Sequence, residues 1–360
     1  MKALSIASLT SALFLVLAQP VAAEEESWTD RITFNGDVRF RFESIDEDTE
    51  VERERNRFRT RFGFTAKVQD NLKVVIQLAS GGDNPVSSNQ SIDGGFSRKD
   101  IGLDLAFVDW EINDAFTLNA GKMKNPFFKA GKVPLIWDSD LNPEGLAAKF
   151  NSGIFFGTAA FFTVEERSST DDSMLYAVQG GVKFPLTENL KLTAGAGYFT
   201  YTNTIGNEPF FDGNPRGNSV DVDGNYVYDY ENTEVFAQLD TNVADWPLQI
   251  FAHYTQNGGT SVEDTAFAYG AKLGSAKDKG QTEFGWIYQD LEADAVIGTF
   301  SDSDFGGGGT DSSGHMLKAK YAFSKKIFLG GTYFINKKDR FQDVERDYNR
   351  LQIDIEFKFN

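Results

Sequence analysis

Five arginines alternate with other residues between Arg53 and Arg61. An extended strand places every second side chain on one face, so Arg57, Arg59 and Arg61 share a face within a predicted strand over 56–69. Facing lipid, each arginine would cost about 2–4 kcal/mol near the bilayer midplane. Facing water, the same charges stay hydrated and attract anions. We therefore predict that these arginines line a water-filled interior.

Three more arginines have the same facing in the first and last predicted strands, over 32–44 and 347–359. These two strands are neighbours if the sheet closes on itself. The predicted wall either raises the local anion concentration or consists of arginines neutralised by acidic partners such as Asp37 and Glu43, and the sequence leaves both interpretations open. The wall comprises Arg39, Arg41, Arg57, Arg59, Arg61 and Arg350.

A long connection over 123–143 carries further charges, and its prolines favour an ordered path that is not a strand. The loop either folds inward, with its acids opposite the arginines, or packs outward in solvent. Acids of the other long loops, such as Asp221 and Asp304, are expected to lie farther from the narrowest point than the screening length of about 8 Å. The charged residues of this predicted constriction loop are Lys129, Lys132, Asp138, Asp140 and Glu144.

Two loop motifs and two histidines suggest other chemistry. One acidic segment is spaced like a calcium-binding turn, but its glycine comes too early for an EF-hand, so we interpret it as a solvated loop and predict no metal site. The run Gly306–Gly309 lacks the Lys-Ser/Thr of a phosphate loop and is predicted to be a flexible external tip. His253 and His315 accompany no nucleophile motif, so we predict neither an enzyme nor a cofactor. The weak calcium candidates are Asp221, Asp223, Asn225 and Asp229.

Strict alternation of apolar and polar residues defines the elements that carry these residues. In the stretch 32–44, Phe34, Val38 and Phe40 alternate with charged residues, which is typical of a strand. About 16 such segments follow one another, and short turns alternate with long loops such as 81–99, 203–230 and 291–312. A Greek-key sandwich gives no reason for that alternation. The pattern predicts an all-β fold, a transmembrane antiparallel up-and-down β-barrel of about 16 strands.

The N-terminus and composition limit the location of the chain. Residues 1–23 combine Lys2, an apolar run and small residues before an acidic segment, which predicts a cleaved signal peptide ahead of a single barrel over 24–360. After Ala23 no stretch approaches the roughly 20 apolar residues of a membrane-spanning helix. The chain has no cysteine and a net charge of -18, so we expect no disulfide and no nucleic-acid partner.

The segments AFVDWEI, GKMKNPF and WDSDLNPEGLAAKF, within 106–150, resemble the putative porin family of Gram-negative outer membranes, which is related to general and phosphate-selective porins. The resemblance implies passive diffusion of small hydrophilic solutes or ions through a channel surrounded by outer-membrane lipid. Similar porins are often homotrimers with an inward third loop. Such barrels usually end on an aromatic residue, whereas here Asn360 follows Phe359. The alternative is an adhesion or binding barrel that acts through its external loops.

Overall fold

The computed structural model describes residues 28–341 and 344–359. The predicted signal peptide and Asn360 lie outside these residues. The described chain forms one 17-stranded antiparallel sheet. The strands are β1 (Ile32–Glu47), β2 (Arg53–Gln69), β3 (Leu72–Ser80), β4 (Gln90–Ser91), β5 (Ile101–Glu111), β6 (Phe116–Lys122), β7 (Glu144–Ser152), β8 (Phe155–Glu165), β9 (Ser173–Thr187), β10 (Leu190–Tyr201), β11 (Glu231–Val243), β12 (Trp246–Asn257), β13 (Thr265–Gly274), β14 (Thr282–Leu291), β15 (Ser312–Ser324), β16 (Ile327–Lys338) and β17 (Arg346–Phe359).

The sheet closes into a barrel because β1 pairs with β2 on one side and with β17 on the other. Sixteen long strands form the wall, each antiparallel to its sequence neighbours. The two-residue β4 is an addition, since it lies in a loop and pairs with β2. The predicted up-and-down barrel of 16 strands is confirmed. Closure gives each of the sixteen long strands described a partner on both sides, which matters because lipid supplies no hydrogen bonds to an open sheet edge.

The connections alternate in length around the barrel. One end carries short turns, and the other end carries eight connections that we name L1 to L8. Three short 3-10 turns lie within L3 and L7. The eight connections are L1 (48–52), L2 (81–100), L3 (123–143), L4 (166–172), L5 (202–230), L6 (258–264), L7 (292–311) and L8 (339–345).

Side-chain facing is inverted relative to a water-soluble sheet. Phe40 and Phe62 are 49% and 47% exposed, whereas the charged Asp37 and Arg41 are each 7% exposed. Apolar residues outside and charged residues inside suit a barrel surrounded by hydrocarbon with a polar interior. Among the residues described, no helix is both long and apolar enough to cross a bilayer.

The first hairpin is longer than the alternation predicted. Ile45 pairs with Arg53, so β1 continues to Glu47 and β2 begins at Arg53 rather than at residue 56. Continued pairing satisfies the backbone groups that a loop would have left to solvent. The extension adds Arg55 to the inward face that carries the predicted arginine wall.

Candidate pore interior

The arginine wall forms on three adjacent strands. Arg39 is paired in register with Arg59 on β2, and Arg41 with Arg57. Arg350 on β17 is paired with Ile45 of β1, which lies two residues beyond Glu43 in the inward-facing row of that strand. All six predicted arginines therefore lie together, and the structure adds Arg55 as a seventh. We call the inward side of β17, β1 and β2 the ionic wall.

Acids on the same strands are interleaved with these arginines. Asp37 accepts hydrogen bonds from Arg59 and from Arg61, each at 2.8 Å. Glu43 has no exposed side-chain surface and contacts Arg55 at 2.5 Å and Arg350 at 2.7 Å. The ionic wall is thus a network of compensated charges, because guanidinium and carboxylate hydrogen bond to each other inside the barrel.

Acids from strand β17 and from loop L7 complete the network. Asp354 of β17 accepts two hydrogen bonds from Arg41, at 2.7 and 2.8 Å. Asp304 of L7 lies 3.1 Å from Arg41 and 2.8 Å from Arg350. Burial raises the pKa of Asp304, but the Arg350 and Arg41 guanidiniums outweigh it and hold that pKa well below its usual range. The expectation that Asp304 lies far from the wall is wrong, because L7 folds inward.

Loop L3 lies within the barrel, against the inward side of β8 to β13. The Phe128 N–H donates to Gln179 Oε1 at 2.7 Å, and the Gln179 amide returns a bond to the Phe128 carbonyl at 2.9 Å. The Gly131 N–H donates to Gln238 at 2.9 Å, and Lys272 donates to the Gly131 carbonyl. Polar side chains of the strands therefore satisfy the backbone of L3, which a buried loop requires.

Aromatic packing holds L3 in the same position. Trp137 of L3 donates from its indole N–H to the Tyr201 hydroxyl at 2.8 Å and packs edge-on against Phe199 at 4.7 Å between ring centroids. Gly131 has a φ of +60°, and a Cβ there would lie 2.4 Å from the Phe251 ring. Only glycine suits both this backbone conformation and this contact. We call the inward side of β8 to β13, with the L3 residues packed on it, the apolar wall.

L3 and L7 are joined at Asp138. Its backbone N–H donates to the Phe300 carbonyl at 2.8 Å, and its carboxylate accepts from the Ser303 N–H at 2.9 Å. Burial raises the pKa of Asp138 well above its usual range, and the Asp302 and Asp140 carboxylates add to the increase. Asp138 is therefore better placed to connect two loops than to supply charge to an ion path.

The remaining charged residues of the predicted constriction loop separate. Asp140 lies 3.8 Å from Arg61 and 4.0 Å from Arg59, so it joins the ionic wall directly. Lys129 donates to the Trp137 carbonyl at 2.7 Å, and burial lowers the pKa of its ammonium to about 8. Glu144 begins β7 and instead pairs with Lys122 of β6 at 2.8 Å.

A cavity of about 590 Å³ lies between L3 and the inward side of β2, β3 and β5, where Arg61, Gln77 and Asp104 line it. Arg61 and Asp140 line it together with Lys124, Lys129 and Lys132 of L3. Lys132 is solvent-exposed. Both signs of charge therefore face this space, which is the arrangement expected where ions cross a narrow lumen.

The calcium candidates do not converge. The Asp221 carboxylate accepts from the backbone N–H groups of Asp223 and Asn225, each at 2.9 Å, while Asp229 accepts from Thr204 at 2.6 Å. Within 28–341 and 344–359, no three or more His, Cys, Asp or Glu side chains are grouped to hold a metal ion. The glycine run Gly306–Gly309 is not a free tip either, because the Gly306 N–H donates to Asn336 of β16 at 3.1 Å.

The two histidines lie in different surroundings. His253 faces the interior and is 2.7 Å from Glu234, which also accepts from Gln179 at 2.5 Å. This network lies beneath L3. His315 stacks on Trp286 at 6.1 Å between ring centroids. The hydrogen bond of His253 is to a carboxylate and the stacking partner of His315 is an indole, so neither contact is the hydroxyl or thiol nucleophile that covalent catalysis with a histidine base uses.

Several residues that contact the arginines or L3 from distant positions in the chain were not named from the sequence. The strand alternation places Asp354 and Glu356 on the same inward row as Arg350, so their facing could have been predicted. Gln179 and Gln238 carry no signal beyond inward facing. Nothing in the sequence near Asp304 indicates that L7 turns toward Arg41.

The barrel and its polar interior agree with a family match over most of the chain. The family model described as "Putative porin" matches residues 45–216 and 212–359. The chain belongs to the putative porin family. No curated protein matches this porin at a significant level.

Solved outer-membrane protein structures share the fold at low sequence identity. The high-pH structure of Pseudomonas putida OprB has a TM-score of 0.62 at 14% identity, with 91% of this chain and 94% of that chain covered. A triple mutant of Rhodopseudomonas blastica porin has a TM-score of 0.53 at 11% identity, with coverage of 91% and 100%. The trimer form of OmpT, an outer membrane protein of Vibrio cholerae, has a TM-score of 0.53 at 13% identity, with coverage of 92% and 100%.

Proposed function

We propose that this porin is a passive diffusion channel for small hydrophilic solutes or ions in the outer membrane of a Gram-negative bacterium. The observation that carries the proposal is the inverted facing of a closed barrel, with Phe40 and Phe62 outside and Arg41 and Asp37 inside. A charged interior is costly unless water or opposite charges reach it. The enclosed space therefore suits hydrated solutes.

We further propose that L3 narrows this channel and that solutes pass between L3 and the ionic wall. The hydrogen bonds of L3 to Gln179 and Gln238 support a fixed position inside the lumen. The cavity of about 590 Å³ beside Arg61, Lys132 and Asp140 supports a charged path of limited width. A fixed loop sets a size limit, whereas a mobile loop would not.

Ion preference in this proposal depends on the balance between arginines and acids, not on the arginines alone. Asp140 and Asp304 come from loops, while Asp37, Glu43 and Asp354 come from strands. Each acid within about a screening length of the path cancels part of the positive field. The ionic wall is thus a source of local fields of both signs.

Export and assembly complete the proposal. A cleaved signal peptide over 1–23 would take the chain across the inner membrane. The outward apolar surface would contact outer-membrane lipid. The trimer form of Vibrio cholerae OmpT motivates the proposal of a homotrimer here.

Planar-bilayer recording tests the channel. Purified protein should give discrete conductance steps that scale with salt concentration, and the reversal potential under a potassium chloride gradient should report ion preference. Large neutral polymers should fail to enter, while small ones should lower the conductance. The absence of any step conductance from folded, heat-modifiable protein would contradict a pore and favour a barrel that acts through its loops.

A further inference from the structure

Loop L7 inserts one acid between two buried arginines. Asp304 Oδ2 lies 3.1 Å from Arg41 Nη1, and Asp304 Oδ1 lies 2.8 Å from Arg350 Nη2. The arginine side chains are 6% and 2% exposed, and that of Asp304 is 21% exposed. One carboxylate thus bridges two guanidiniums through both of its oxygens.

The loop around Asp304 is held by contacts on both sides. The Asp304 N–H donates to Asp302 at 3.0 Å, and the preceding Ser303 donates from its own N–H to Asp138 of L3. On the following side, the Gly306 N–H donates to Asn336. These contacts lie on L3, L7 and β16, so the position of Asp304 depends on the folded barrel.

The two arginines have strand partners that Asp304 does not replace. Asp354 binds Arg41 at 2.7 Å from its other edge, and Glu43 binds Arg350 at 2.7 Å. Glu43 is also shared with Arg55 and therefore cannot neutralise Arg350 alone. Removal of Asp304 would leave two fixed guanidiniums with donors turned toward one vacant position, which is a geometry that binds carboxylates.

We propose that Arg41 and Arg350 form a binding site for a small carboxylate and that Asp304 occupies this site as an internal ligand. The ionic wall keeps its compensated charge because L7 fills the site, and a channel without the Asp304 carboxylate would bind free carboxylate and favour anions. The binding site itself rests only on these contacts, while its effect on ion preference rests on the proposed channel function.

Chemical rescue tests the site. Asp304→Gly removes the carboxylate and leaves room for formate. Formate should raise the thermal transition of the folded variant in detergent with a saturating concentration dependence, because a ligand that binds the folded state stabilises it by mass action. Chloride at equal ionic strength should not reproduce the increase, and neither salt should do so in the wild type. Equal responses to formate and chloride would overturn the proposal.

Permeability tests the effect on ions. Asp304→Asn should raise the chloride-to-potassium permeability ratio about two- to fivefold, the effect of one elementary charge a few ångströms from a path in a water-like medium. The matched control is Asp223→Asn, which makes the same charge change at an exposed residue of L5. An unchanged ratio in Asp304→Asn, or an equal change in the control, would contradict the role of Asp304.

If Asp304→Asn does not assemble, the Asp304 charge can be tested in a protein that already lacks Arg41. The comparison is between Arg41→Gln and Arg41→Gln/Asp304→Asn, which differ only in the Asp304 charge. The double variant removes one positive and one negative charge, so its net charge equals that of the wild type. The double variant should be more anion-permeable than Arg41→Gln, and equal ratios would refute the inference. Missing conductance in the wild type would instead contradict the channel, and the formate titration would still decide the site.

Discussion

The ionic wall and the apolar wall face each other inside one barrel, yet they are built in opposite ways. On the ionic wall, side chains such as Asp37 and Arg59 satisfy one another, and L3 and L7 add only single acids to it. On the apolar wall, Phe199 and Tyr201 pack against a whole loop, and Gln179 and Gln238 satisfy its backbone.

This difference indicates how the barrel fills its interior with a loop on one side and keeps a polar network on the other. Burial of aromatic side chains away from water stabilises the folded protein, so the wall that carries them is covered by L3. Paired charges gain little from being covered, because their desolvation offsets much of their mutual attraction. The ionic wall is consequently covered by single acids such as Asp304 over Arg41 and Arg350, and the cavity lies beside Arg61.

The largest expected effect is the loss of an aromatic side chain from the apolar wall. Phe199 has 0% exposure and contacts Phe127 and Trp137 of L3. Phe199→Ala should lower the free energy of unfolding by about 3–5 kcal/mol through the cavity it leaves. Denaturant unfolding in detergent measures the change. The control is Phe267→Ala on the outward face, and an equal loss there would show that L3 packing is not the cause.

A second prediction concerns the outer surface of the barrel, which is distinct from the ionic wall and the apolar wall inside it. Val38, Phe40, Phe62, Phe64, Ile353, Ile355 and Phe357 are predicted to contact lipid. Phe62→Arg should cost about 2–4 kcal/mol and block assembly, whereas Thr65→Lys on the interior side of the same strand should assemble. Heat-modifiable mobility on gels reports assembly. Equal assembly of both variants would mean that the assigned facing is incorrect.

The pH dependence of stability should reveal the burial of Lys129 on the apolar wall. Burial lowers the pKa of Lys129 from its usual 10.5 to about 8, so below pH 8 the folded state carries the full cost of the buried charge. Between about pH 8 and 10.5 the unfolded chain binds more protons than the folded chain, and stability should rise with pH by about 1–3 kcal/mol.

The comparison with Lys129→Met isolates this contribution from other titrating groups. The difference in unfolding free energy between wild type and variant should change between pH 7 and pH 10, in the direction that favours the wild type at high pH. A constant difference over this range would show that water reaches the Lys129 ammonium in the folded barrel.

The smallest expected effects in free energy concern ion preference at the ionic wall. Neutralising Arg57, Arg59 and Arg61 together should move the reversal potential toward cations, and Asp138→Asn/Asp140→Asn should move it toward anions. Each charge contributes on the order of 1 kcal/mol or less in a water-like medium. Because the pKa of Asp138 is raised, Asp140→Asn alone should give most of the second shift. Shifts of the same sign, or none, would leave the arginines with a structural role.

Much of the fold could be predicted from local patterns. Side chains alternate across a strand with a period of two, so Phe62 and Arg61 had to face opposite sides wherever that strand was placed. The alternation of short turns and long loops then predicted an up-and-down barrel with its first and last strands paired. The facing of side chains and the lengths of the connections can both be read from the local sequence, without knowledge of distant contacts.

The sequence by itself determined which side chains share a face of each strand, and therefore which six arginines lie on the arginine wall; the longer first hairpin then added Arg55. Only the tertiary structure decided what those residues meet, because L3 and L7 reach across the interior from distant parts of the chain. Glu144 lies with Lys122 rather than on the ionic wall, while Asp304 binds Arg41, 263 residues away in sequence. The sequence of a loop has no periodic pattern that predicts its path. Its contacts instead depend on which wall of the barrel offers partners for its backbone and its aromatic side chains.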